Sequence, residues 1–193
     1  MGGGMRADRG AALELRIGGC RIVVGFGFPA VVAAACCLDR RTLVLVTLGV
    51  CLLHELGHGA ALWATRAGLR EVRLSAAGMR MRPRRALLTR GQALAVCLSG
   101  PAVNLLAAVL LWRVRHETAL LHLAMGTFNL LPYRLLDGGT ALGLFLGETG
   151  ERVRRIVCVG MAAGFVVWMM RMHVTSPFLY GMAVYLGAAE VSG

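Results

Sequence analysis

The sequence predicts an all-α polytopic membrane protein of about six transmembrane helices. Three observations carry that expectation. Of 193 residues, 57% are hydrophobic and only 16% are charged, with a mean hydropathy of +0.66, which is too apolar for an ordinary soluble domain. The apolar residues gather in successive runs, several of membrane length. The formal charge of +11 comes entirely from arginine, and those arginines stand mostly between the runs, with no interleaved aromatics. Such placement suits loops that fix topology and touch anionic lipid head groups, and it argues against nucleic acid as a partner.

Residues 1–19 are rich in Gly and Arg without a period and are expected to form a flexible leader ahead of a single integral domain, 20–193. A first span is expected near 22–38, with Pro29 as a kink. A secretory signal peptide is the rival reading there, given the basic leader and Ala33 to Ala35 before Cys36. The length of the run and the second span close behind it favour a retained helix. Asp39, Arg40 and Arg41 make a tight turn into the second span, 42–65. From Arg66 to Arg90 eight arginines face one acid, Glu71, so the positive-inside rule makes this connector cytoplasmic. Partial alternation within it, Val72 and Leu74 then Met79 and Met81 about Ala76, Ala77 and Gly78, reads either as a short β-hairpin or as an interfacial coil.

Further spans are expected near 92–114, 119–136, 156–172 and 177–190. Pro101 bends the third and Asn104 offers it a polar contact to another helix. His122 reads as a packed polar contact. Six spans put both termini on the cytoplasmic side, together with the 66–90 connector and Asp137. Trp63, Trp112 and Trp168 stand toward span ends, as in an aromatic belt. The six cysteines, Cys20, Cys36, Cys37, Cys51, Cys97 and Cys158, lie in or beside apolar runs without C-x-x-C spacing and read as small buried hydrophobes.

Within the second span stand His54, Glu55 and His58, spelling H-E-x-x-H. An ionisable side chain at membrane depth costs roughly 2.5 to 3.5 kcal/mol on insertion scales, so such residues usually face a functional interior. On a helix, positions four apart differ by about 400° and about 6 Å of rise, so His54 and His58 project from one face and can share a metal ion. Zinc suits them, because two imidazoles leave two of its four positions for a third ligand and a water. Glu55 would take that water's proton. The bland alternative, two histidines packed by chance, leaves Glu55 buried without a purpose. Cys51, three residues before His54, falls near the same face and is a weaker ligand candidate.

A second acid in an apolar setting, Asp137, follows a helix broken at Pro132 and precedes Gly138 and Gly139, which let the backbone turn closely past a neighbour. Asn129, on the segment leading to it, could donate a hydrogen bond to substrate or bond locally as a helix cap or between helices.

Taken in order, His54-Glu55-Leu56-Gly57-His58, Gly100-Pro101 with Asn104, and Asn129 to Gly139 resemble the site-2 protease family of intramembrane zinc metalloproteases, nearest its compact bacterial branch that includes stage IV sporulation protein FB. The resemblance runs from about residue 20 to 190. It implies zinc held by His54, His58 and Asp137, Glu55 as catalytic base, Asn129 as a polar residue beside the site, and cleavage of another membrane protein's helix. It also implies a place in the bacterial cytoplasmic membrane. Arg134 and Leu135 depart from the family, which often carries further prolines there, and no appended regulatory module is expected, so regulation falls to a separate membrane protein. A metal-binding transporter or a catalytically inactive scaffold is the alternative from another class. Glu55 discriminates, since a carrier has little use for a carboxylate beside the metal.

Overall fold

A computed structural model describes residues 11–17, 19–38, 43–75, 78–84, 88–146 and 148–191. Most of the expected leader (1–10), the expected turn at Asp39 to Arg41, and Ala76 and Ala77 lie outside the described residues. The chain divides into two compact units, residues 1–89 and 90–193.

In the first unit, strands β1 (Ala11–Ile17), β2 (Cys20–Gly25), β3 (Leu69–Ser75) and β4 (Gly78–Pro83) form one sheet in that order. The pairs β1/β2 and β3/β4 are antiparallel, and β2 runs parallel to β3. Parallel neighbours need a crossover of a dozen or more residues, and here the helices α1 (Gly27–Leu38) and α2 (Leu43–Ala64) supply it. The expectation of an all-α chain is therefore corrected to a mostly helical chain with a small sheet.

The physical reason lies in the residues. Leu13, Glu14, Leu15, Arg16 and Ile17 alternate at strand period, and Gly19, at φ 79°, turns the chain into the β-branched run Ile22, Val23, Val24. Residues 22–25, expected to open the first span, instead lie in β2 with Val23 fully buried. A short apolar run does not by itself separate a strand from a buried helix. Arg21 joins the hairpin to the next strand, meeting both Glu14 oxygens at 2.8 and 2.9 Å and standing across from Glu71. The Glu14 hydrogen bond raises the Arg21 pKa above its ordinary value. In the basic connector the hairpin is formed, pairing Leu69 with Pro83 through Ser75 with Gly78.

The second unit holds α3 (Arg90–Leu111), α4 (His116–Asn129), α5 (Asp137–Gly143), α6 (Glu148–Arg171) and α7 (Pro177–Val191). Helices α3 and α4 pack closely where side chains are small: a Cβ on Gly126 would come within 3.1 Å of Leu105 and 3.2 Å of the Pro101 carbonyl. At the same seam the buried His122 Nδ1 lies 3.1 Å from Asn104 Oδ1, so the two expected polar contacts are each other's partner. Tyr133, Cys158, Ala162 and Leu186 form a core that joins the α4–α5 connection to α6 and α7.

Among the described residues three helices, Leu43–Ala64, Arg90–Leu111 and Gly150–Arg171, are long and apolar enough to cross a membrane. The other expected spans are shorter: α1 has 12 residues, α4 has 14 and α7 has 15. At about 1.5 Å per residue these reach roughly 18–23 Å against a hydrocarbon core of about 30 Å. The long helices turn large apolar side chains outward, among them Leu45, Leu52, Leu106, Val109, Ile156 and Met170. Large apolar side chains exposed along membrane-length helices are at home against lipid and costly in water.

Candidate metal centre

Helix α2 is apolar nearly all round, and a buried stripe of Val50, His54, Gly57 and Leu62 runs along it. His54 is 3% exposed, and His58, one turn on, is half-buried. Their Nε2 atoms lie 3.1 Å apart, with ring centroids at 4.8 Å and planes at 82°. Zinc holds imidazole nitrogens at about 2.0–2.1 Å with tetrahedral angles, which puts two ligating nitrogens roughly 3.3 Å apart. The pair thus fits one zinc ion with a small adjustment of either ring. Glu55 is half-buried at the next helical position after His54, and Cys51 is half-buried one turn before it. Gly59 lies on the same helix against strand β4, where a Cβ would make ordinary contact with Met81 at 3.8 Å.

In the second unit Asp137 is the first residue of α5. Its position follows from how α4 stops. Leu130 and Leu131 still donate to Thr127 and Phe128 in tightened turns, and Pro132 then has no N–H to continue. The chain turns through Tyr133, whose carbonyl accepts the Leu136 N–H at 2.8 Å, and Leu136 is extended at φ −107°, ψ 162°. Gly138 and Gly139 press against this same backbone: a Cβ on Gly138 would overlap the Leu130 carbonyl, and one on Gly139 would overlap the Tyr133 carbonyl. The two glycines are thus required by close approach.

Asn129 ends α4, and its Nδ2 donates to the Met125 carbonyl at 2.9 Å, a bond within its own helix. Arg154 and Glu190 belong to no sequence motif. Arg154 stands among the charged residues that open α6, yet it shares the buried stripe of that helix with Cys158, Ala162 and Met169. That spacing, and the solitary acid ending the last apolar run, were the signals for them.

No protein-family model matches the chain, and no curated protein matches it by sequence. Among solved structures, a site-2 protease from Methanocaldococcus jannaschii has a similar fold, with a TM-score of 0.64 at 17% identity over 93% of this chain and 94% of that one. At that identity the likeness concerns the fold.

Proposed function

We propose that this protein is a zinc-dependent endopeptidase that hydrolyses a peptide bond within or beside a transmembrane segment of another membrane protein. The observation that carries the reading is the His54–His58 pair, two imidazole nitrogens 3.1 Å apart on a membrane-length apolar helix, with Glu55 between them in sequence. The fold shared with a site-2 protease supports it.

In this reading Asp137 is the third ligand beside His54 and His58. The donor set of two imidazoles and one carboxylate is one that catalytic zinc sites use, with a position left for water or substrate. Bound zinc would supply a Lewis acid for the scissile carbonyl and lower the pKa of the attacking water. Glu55 accepts that water's proton and returns it to the leaving amine. His54 and His58 must present their Nε2 lone pairs, which fixes the remaining ring protons on Nδ1. The substrate helix has to unwind locally first, because its backbone hydrogen bonds shield the carbonyls; helix-destabilising residues near the cut should favour cleavage.

The place proposed for it is the bacterial cytoplasmic membrane, with both termini cytoplasmic, arginine loops against anionic head groups, and a regulatory membrane protein as partner. The test is co-expression with candidate single-span regulators, scored for a shortened product. Glu55→Gln should abolish that product while the purified protein keeps its zinc, and undiminished cleavage would refute the mechanism.

A further inference from the structure

Inside the second unit stands a cluster of charge that the chemistry above does not use. Arg154 on α6 is 2% exposed and Glu190 on α7 is 1% exposed. The guanidinium Nε and Nη2 donate to the two oxygens of Glu151 at 3.0 and 2.5 Å. Nη1 donates to Glu190 Oε1 at 3.1 Å and to the Pro132 carbonyl at 2.6 Å. Nη1 also reaches Cys158 Sγ at 3.9 Å, and the contact of Nη2 with Glu190 Oε2 at 3.0 Å is ionic without hydrogen-bond geometry. Glu190 Oε1 in turn accepts the backbone N–H of Arg134 at 2.5 Å.

The two backbone groups taken up by this cluster flank Tyr133, in the turn that sets where α5, and therefore Asp137, begins. Pro132 carbonyl is held from α6 and Arg134 amide from α7. The glycines then pin α5 to the same turn: a Cβ on Gly139 would also lie 2.8 Å from Arg134 N, and one on Gly138 would lie 2.7 Å from the Leu131 carbonyl. From the ion pair to the Asp137 backbone there is thus an unbroken series of hydrogen bonds and close contacts, all within one unit. Desolvating two charges to this degree costs several kcal/mol per ion in general, and a well-packed apolar pair would often serve stability as well. A role in fixing geometry accounts for charges here where bare stability does not.

We propose that Arg154 and Glu190 are positioning residues that clamp the Pro132–Arg134 backbone and so hold Asp137 at the orientation a metal ligand needs. The proposal rests on the reading of Asp137 as a ligand. Arginine is required because its planar fork reaches two carboxylates and a carbonyl together, whereas lysine, a point charge with three donors, cannot span them. Glu190 is required as a charge that faces the fork and as an acceptor for Arg134 N–H.

The experiment uses the full-length protein in detergent, with cobalt(II) as the probe, read by its visible absorption. Glu190→Gln and Arg154→Lys should each bind cobalt on the order of tenfold more weakly and show altered band positions, because outer partners of metal ligands typically govern affinity by about 10–100-fold. Cobalt affinity and spectrum equal to the parent's in both variants would overturn the clamp. Should neither variant fold, amide hydrogen exchange on the parent decides. The Arg134 amide, though in a turn, should be protected as strongly as amides within α6, and exchange at the rate of an exposed turn would overturn the proposal. Asp137→Asn, run in parallel, separates the two ideas. An unchanged cobalt spectrum there sinks the ligand assignment, while a changed one beside unaltered Arg154 and Glu190 variants sinks only the clamp.

Discussion

Replacing Gly139 with Ala tests how tightly the acid-bearing turn is built. The new Cβ would overlap the Tyr133 carbonyl and come 2.8 Å from Arg134 N, where ordinary contact begins at 3.4 Å. Neither neighbour is a side chain that can swing aside. The Tyr133 carbonyl already accepts Leu136 N–H, and Arg134 N is already bound to Glu190. Overpacking costs about 1–3 kcal/mol where side chains absorb it. Losing a hydrogen bond to a charged acceptor adds about 1.5–3 kcal/mol. A destabilisation of about 3 kcal/mol is therefore expected, and at roughly 2–4 °C per kcal/mol for a chain of this size the melting temperature should fall by about 6–12 °C. Zinc content at a fixed free-metal concentration should fall with it. Gly160→Ala on α6 is the control: nothing lies within 4 Å of its Cβ, so the change should be neutral or add up to about 1 kcal/mol of helix propensity. The measurement is thermal unfolding in detergent alongside metal analysis. If Gly139→Ala melts with the parent and holds the same zinc, the turn is not built as argued.

Two other outcomes are expected. Chelation should lower the melting temperature of the parent and zinc should restore it, by about 2.7 kcal/mol when free zinc reaches 100 times Kd; His54→Ala should show no such response, and an equal response would remove His54 from the ligand set. Asn104→Ala takes from His122 the partner at 3.1 Å and should cost about 1–3 kcal/mol in stability, while cleavage that depends on Glu55 persists. Loss of activity at an unaltered melting temperature would instead place that pair in the chemistry.

How legible a residue was in the sequence depended on how far its meaning lay from it in the chain. His54, Glu55 and His58 are one helical turn, and the apolar run around them makes their presence expensive, so the shared face of the two histidines could be read locally. The turn at Pro132 was readable for the same reason, as proline and the two glycines act on their own backbone. The first strand pair was missed because the Gly- and Arg-rich start masked the alternation of Leu13 to Ile17, and because Ile22 to Val24 continue into α1 without a break in hydropathy. The sheet is made by pairing residues 21–24 with 71–74, fifty positions away, and no local pattern encodes a parallel partner. Six spans were counted from apolar runs, but helix length is decided by where each run stops being helical, and α4 stops at Asn129 rather than continuing to Leu136.

Arg154 shows why accounting for donors adds something that a motif cannot. Five of its contacts are hydrogen bonds, the weakest to Cys158 Sγ at 3.9 Å, and a sixth is ionic, so each guanidinium nitrogen is engaged and the group cannot turn toward a substrate carbonyl without surrendering Pro132, Glu151 or Glu190. It is committed to the fold. The same count distinguishes it from arginines of the basic connector, such as Arg82, which is exposed. An arginine count of the sequence treats them alike. The consequence is directional: neutralising connector arginines should weaken association with anionic lipid in a salt-dependent way and leave metal binding intact, whereas Arg154→Lys keeps the charge and should still loosen the metal.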